Sequence, residues 1–243
     1  MRIEAILIPA DFETLPKRDL SDTVAVVFDV LRATSTELTA LANGAAEIVP
    51  VLTLEDAFER KRAQPGALLG GERDGVRPDG FDFGNSPMEY TRERVEGRVV
   101  VHTTTNGTVA LMSCAGCREV LLGSLLNLAA VAECVRRLQE KVLLLACAGT
   151  FSHFALEDGI AAGALLARLG ASAEDMSPAA RSLLHLWRSV EKDAIEAVRG
   201  SRNGLKLARI GLGADVDYCA RVDALPVVAA YVNGSSRLQA LQM

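Results

Sequence analysis

Short, almost uninterrupted apolar runs alternate along the chain with longer stretches in which apolar positions recur every three or four residues. The runs at 23–28, 47–51, 67–69, 98–101, 119–122 and 141–146 are rich in Val, Ile and Leu and predict strands. The intervening stretches 36–42, 54–63, 108–114, 128–140 and 156–169 predict helices. Strands that are apolar on both faces need cover on both sides. The expected fold is therefore α/β, a three-layer α/β/α arrangement with a largely parallel or mixed sheet. A late strand is expected at 225–232, ending at Asn233-Gly234.

Local signals mark several helix ends. Ser86-Pro87-Met88-Glu89 offers an N-cap, a proline at the first helical position and a glutamate three residues after the cap. Ser177-Pro178 opens a helical stretch reaching about Val198, with Leu183, Leu184, Trp187, Val190 and Ala194 on one face. Such a stripe covers either its own domain or a second subunit, the latter giving a homodimer. Ser201-Arg202-Asn203-Gly204 reads as a turn or N-cap. Small and polar residues gather at 172–177, dividing the chain into a main α/β lobe, 1–171, and a C-terminal helical and strand segment, 172–243, packed on it.

Composition narrows the function classes. With 243 residues, 49% of them hydrophobic, the chain can bury an ordinary core. No apolar run approaches the roughly 20 residues of a membrane span, and Met1-Arg2-Ile3-Glu4 lacks a signal-peptide core, so a cytoplasmic protein without membrane partners is expected. Five scattered cysteines suit free thiols in a reducing compartment. A net charge of −5 without a Lys/Arg track argues against nucleic acid, yet allows a pocket for a small anion.

In α/β sheets ligands sit outside the carboxyl ends of strands. Four such places are rich in polar groups. The first carries Asp29, Arg32, Thr34, Ser35 and Thr36, a carboxylate for a metal followed by donors for phosphate at a helix start. The second carries Thr103, Thr104, Thr105, Asn106, Gly107 and Thr108, whose Asn-Gly turn can aim backbone N–H groups at an anion. The third is the long loop 70–85, with Glu72, Arg73 and Asp82 ahead of its other charges. The fourth carries Thr150 and the pair Glu157-Asp158, suited to a hard cation. Capping alone also explains Ser and Thr at a helix start, and acids in a first turn favour the helix dipole without any chemistry. His102 and His153 border these places and are candidates for a minor proton-transfer role. The chain has no Walker A sequence and no Gly-x-Gly-x-x-Gly. Leu31 stands where a haloacid-dehalogenase-type phosphatase would carry a second Asp.

Taken together, the segments 29–36, 70–73, 80–87 (Gly-Phe-Asp-Phe-Gly-Asn-Ser-Pro), 103–108 and 147–150 with Leu156-Glu157-Asp158 resemble the 2-phosphosulfolactate phosphatase family, and 215–220 extends the likeness more weakly. The resemblance implies an α/β, Mg²⁺-dependent hydrolase of 2-phospho-3-sulfolactate, a step toward coenzyme M. Asp29, Arg32, Glu72 and Asp158 are then the expected catalytic groups. Asp29 with some of Glu72, Asp82, Glu157 and Asp158 would hold Mg²⁺, while the Thr-rich loops and Thr150 would bind the phosphorylated acid. Arg73 is the candidate for gripping the substrate's other acid group. Two alternatives stand beside this reading: a phosphatase of another phosphorylated hydroxy acid, and a noncatalytic sensor of a phosphorylated metabolite, which would not need so many carboxylates. All four places are expected to converge on one cleft.

Overall fold

The structure, a computed structural model, describes residues 1–239. Its strands are β1 (Arg2–Ile6), β2 (Thr23–Phe28), β3 (Glu47–Pro50), β4 (Leu68–Gly71), β5 (Val99–Thr103), β6 (Glu119–Gly123), β7 (Val142–Cys147), β8 (Val228–Val232) and β9 (Ser235–Gln239). The helices are α1 (Ala33–Ala42), α2 (Leu54–Ala63), α3 (Arg92–Val95), α4 (Gly107–Ser113), α5 (Leu128–Leu138), α6 (Leu156–Leu169), α7 (Pro178–Val190), α8 (Ala194–Arg199), α9 (Arg202–Arg209) and α10 (Gly213–Cys219). Among the described residues no helix is long and apolar enough to cross a membrane.

The fully buried strand β2 shows how the layers arise. Val24, Val26 and Phe28 face a core shared with α5, α6 and α7. Ala25 and Val27, pointing the other way, join a core shared with α1 and α4. Strand β7 divides its residues in the same way. Both faces of the sheet are covered, as the apolar runs require.

The nine strands lie in the order β1-β7-β2-β6-β8-β9-β3-β5-β4. The first four run parallel to one another, as do β3, β5 and β4. Between these groups stands the β8–β9 hairpin, antiparallel to β6 on one side and to β3 on the other. Three successive antiparallel pairings make the two groups run in opposite senses. In a flat sheet their carboxyl ends would lie on opposite edges. They meet because the sheet curls around α1, which touches β3, β6, β8 and β9 and has every residue but Ala42 buried. The described part of the C-terminal segment, 172–239, therefore does more than pack on a lobe, since its hairpin completes the central sheet.

Several local expectations change. Strands β1 and β9 carry little apolar signal, and β1 is only partly buried. Ser86 caps no α-helix: a single 3₁₀ turn, Pro87–Glu89, follows it, and the Glu89 carboxylate accepts instead from the Gly84 N–H. The long helix after Ser177 is interrupted by a 3₁₀ turn at Glu191–Asp193. Its apolar stripe covers α6 of its own chain, and a Cβ on Gly163 would stand 2.1 Å from the Leu183 carbonyl oxygen. Gly→Ala inside a helix ordinarily stabilises by about 1 kcal/mol. Here the contact with backbone reverses the sign: Gly163→Ala should destabilise by about 1–3 kcal/mol, read as a lower urea midpoint at unchanged slope. A raised midpoint would show that α6 and α7 are not in this close contact.

Candidate functional site

The β2–α1 loop begins at Asp29, whose Oδ1 accepts from the Ala33 N–H at 3.1 Å. Its other oxygen lies against Gly107, where an added Cβ would stand 2.6 Å from Oδ2. Only glycine lets the α4 start approach Asp29 so closely. Arg32, in the same loop, is buried: Nη1 donates to Asp215 Oδ2 at 2.6 Å and Nη2 to the Gly75 carbonyl at 2.9 Å. Asp215 in turn accepts from Ser86 Oγ at 2.7 Å.

Glu72 follows β4 and joins two loops, accepting from the Thr105 N–H at 2.8 Å and the Gly75 N–H at 2.6 Å. Thr104, Thr105 and Asn106, after β5, lie beside it on the cleft wall, as does Thr150 after β7. Asn203 of α9 closes the remaining side, its Nδ2 donating to Thr150 Oγ1 at 2.6 Å and to Glu157 Oε1 at 2.5 Å. Lys206 and Leu207 follow on the same helix face. The expected convergence occurs: Asp29, Arg32, Glu72, the Thr104–Asn106 turn and Thr150 line one cleft.

Negative charge is crowded here. Burial, first, and then Glu72, Glu157 and Glu37 push Asp29 up to about 7 against the Ala33 hydrogen bond. Burial also raises Glu157, against its hydrogen bond from Asn203. Asp158 lies well above the usual carboxylate range through burial and the proximity of Asp29 and Glu157. Among the described residues no three acid, His or Cys side chains converge as a ready-made metal cage. Mg²⁺, however, uses only one or two carboxylates and fills its octahedron with water and substrate oxygens. The all-oxygen pair Asp29 and Glu72, both lining the cleft, fits that chemistry.

Other expected groups are used elsewhere. Thr34 Oγ1 donates to the Asp29 carbonyl, Ser35 Oγ to the Val30 carbonyl and Thr36 Oγ1 to the Asn85 carbonyl, so these three hydroxyls build the loop and do not face the cleft. Thr104 and Thr108 exchange reciprocal side-chain to N–H bonds, which cap α4. Thr103 Oγ1 accepts from Arg73, whose guanidinium also donates to the carbonyls of Glu72 and Leu52, outside the cleft. The Asp82 carboxylate is placed away from the other acids, accepting from the Leu69 N–H and Lys61. Asp158 is a clamp, accepting from the N–H groups of Val30 and Gly149 and thereby tying the loops after β2 and β7 together. His102 is buried 3.0 Å from Glu37, and the exposed His153 forms a backbone bridge with Thr150; neither lines the cleft.

The sequence reading missed Asn203, Lys206 and Leu207, together with Ser86 as the partner of Asp215. The Ser201 cap placed the start of α9, and the spacing 203, 206, 207 puts these residues on one face, but nothing local ties that face to the cleft.

Comparison with known proteins agrees with the geometry. The sequence profile described as 2-phosphosulpholactate phosphatase matches residues 10–234. A probable 2-phosphosulfolactate phosphatase of Thermotoga maritima is 41% identical over 210 residues, 86% of this chain and 89% of that protein. One from Symbiobacterium thermophilum is 42% identical over 226 residues, 90% and 95% of the two chains. One from Clostridium acetobutylicum is 37% identical over 237 residues, 96% and 99% of the two chains. With this coverage, and with the matching motifs gathered around one acid-rich cleft, the chain belongs to the 2-phosphosulfolactate phosphatase family.

Proposed function

We propose that this protein is a Mg²⁺-dependent, cytoplasmic phosphoric monoester hydrolase that converts 2-phospho-3-sulfolactate and water to 3-sulfolactate and inorganic phosphate, the reaction type that serves coenzyme M formation. The observation that carries the chemistry is the meeting of Asp29 and Glu72 with Arg32 where oppositely running strand groups end. The substrate is taken from the names of the relatives.

Asp29 and Glu72 would hold Mg²⁺, which supplies Lewis-acid polarisation of the phosphoryl group. Arg32 presents a planar donor fork whose orientation Asp215 and the Gly75 carbonyl fix before substrate arrives. Water is the nucleophile we assign. Asp29 is a poor alternative because a carboxylate that holds the metal can hardly serve at the same time as an unhindered nucleophile. Phe151 and Leu207 add apolar surface to the cleft, which limits competing water.

Phosphate release should cease with EDTA and return with Mg²⁺. Asp29→Asn should stay folded while the Mg²⁺ needed for half-maximal rate rises at least about tenfold and turnover falls about 100-fold. Unchanged Mg²⁺ dependence in that variant would remove Asp29 from the metal site.

Arg32→Lys keeps the charge and loses the fork. It should lower kcat and kcat/KM together, by about 10²-fold, as expected for an interaction made mainly in the transition state. A rise in KM alone would reduce Arg32 to a ground-state anchor.

A further inference from the structure

The proposed substrate carries three acid groups: the phosphoryl, a carboxylate on the same carbon as the ester oxygen, and a sulfonate one carbon further on. The cleft lining contains two cations, Arg32 and Lys206, beside the acids Asp29, Glu72 and Asp74. Arg32, held in place by Asp215 and the Gly75 carbonyl, is assigned above to the phosphoryl group. Arg73 is bound to Thr103 and to two backbone carbonyls, outside the lining. Of the two cleft cations, only Lys206 has a side chain without a hydrogen bond or ion pair among the described residues.

Its placement is set by neighbours. One turn earlier on α9, Asn203 is clipped to Thr150 and Glu157, and Leu207 on the same face is buried. At the other rim, a Cβ on Gly75 would lie 4.0 Å from Lys206 Cε, and the carbonyl of that same glycine receives Arg32. Helix α9 thus spans the cleft from the β7 loop to the Gly75 turn. The Lys206 side chain and the Arg32 guanidinium both border Gly75. The phosphoryl group belongs with Asp29, Glu72 and Arg32 at the strand ends, which leaves Lys206 facing the substrate's far end.

We infer that Lys206 is a specificity-determining residue that pairs with the second, remote acid group of the substrate, the sulfonate, the role that the sequence pattern suggests for Arg73. This rests on the phosphatase reading given above. A sulfonate is fully ionised at working pH and a weak hydrogen-bond acceptor. A mobile point charge on a flexible stem suits it better than a rigid fork.

The test compares 2-phospho-3-sulfolactate with 2-phospholactate, which has hydrogen in place of the sulfonate. Lys206→Met should raise KM for the sulfonated substrate about 5–20-fold, the range for a charge-assisted bond at a partly solvated position, while KM for 2-phospholactate changes less than about twofold. Lys206→Arg should retain most of the preference, and product 3-sulfolactate should inhibit the Met variant correspondingly less. Because Lys206 is exposed, the variant's melting temperature should match that of the wild type. Equal weakening for both substrates, or no change for either, overturns the assignment while leaving the phosphatase reading intact. Failure of the wild-type protein to release phosphate from either compound, with Mg²⁺ present, overturns the phosphatase reading and this inference with it.

Discussion

Arg32 and Asp215 stand 183 positions apart, and their side chains, each 3% exposed, meet at 2.6 Å. Neither charge could be buried alone. Removing one partner of such a pair typically costs about 3–5 kcal/mol, because the other is left desolvated and uncompensated. The β2–α1 loop therefore reaches its cleft conformation only when α10 closes on it, and Ser86 completes the arrangement by donating to the second Asp215 oxygen. One ion pair couples the β2–α1 loop, the glycine-rich loop through the Gly75 carbonyl, and the C-terminal helices. This dependence explains why the last third of the chain shapes a site whose recognisable motifs mostly precede it.

The second constraint is the burial of α1. A helix buried against a sheet needs partners for its hydroxyls within the protein. Ser35 and Thr36 donate to backbone carbonyls, and Thr39 Oγ1 bonds the Ser35 carbonyl at 2.7 Å. The row of hydroxyls that resembles a phosphate cradle is what permits the helix to sit inside the sheet. Its indirect contribution to function is large, because α1 is the body around which two opposed strand groups bring their carboxyl ends together.

These two constraints separate what the sequence reveals from what it does not. Strand β2 and helices α2 and α6 are legible at their observed bounds, since buried strands and amphipathic or capped helices declare themselves within a few residues. Asp29, Arg32, Glu72 and Thr150 are legible as cleft residues because each follows a strand. Strands β1 and β9 are not, because partly exposed edge and hairpin strands carry weak apolar patterns. Arg73 and Asp82 share the composition of a binding loop, but which charges turn inward depends on partners such as Thr103 and Lys61, distant in sequence. The same limit hides Lys206, whose helix becomes part of the site only through Asn203 and Gly75.

The charge balance of the cleft follows from this assembly. The strand-end acid Glu72 is held by backbone geometry rather than by a countercharge, through the N–H groups of Thr105 and Gly75. Backbone donors fix carboxylates without neutralising them, and Arg32, the one buried guanidinium among the described residues, is already matched by Asp215. A multiply anionic substrate would be repelled by such a surface unless a bound divalent cation reversed the local sign. On the proposed reading, metal and substrate would therefore bind with positive linkage, each lowering the cost of the other's charge. Lys206 stands outside that balance, exposed and unpaired on α9. On the reading proposed above, it would discriminate among substrates by their far ends without altering the charge that the strand-end loops present to the phosphoryl group.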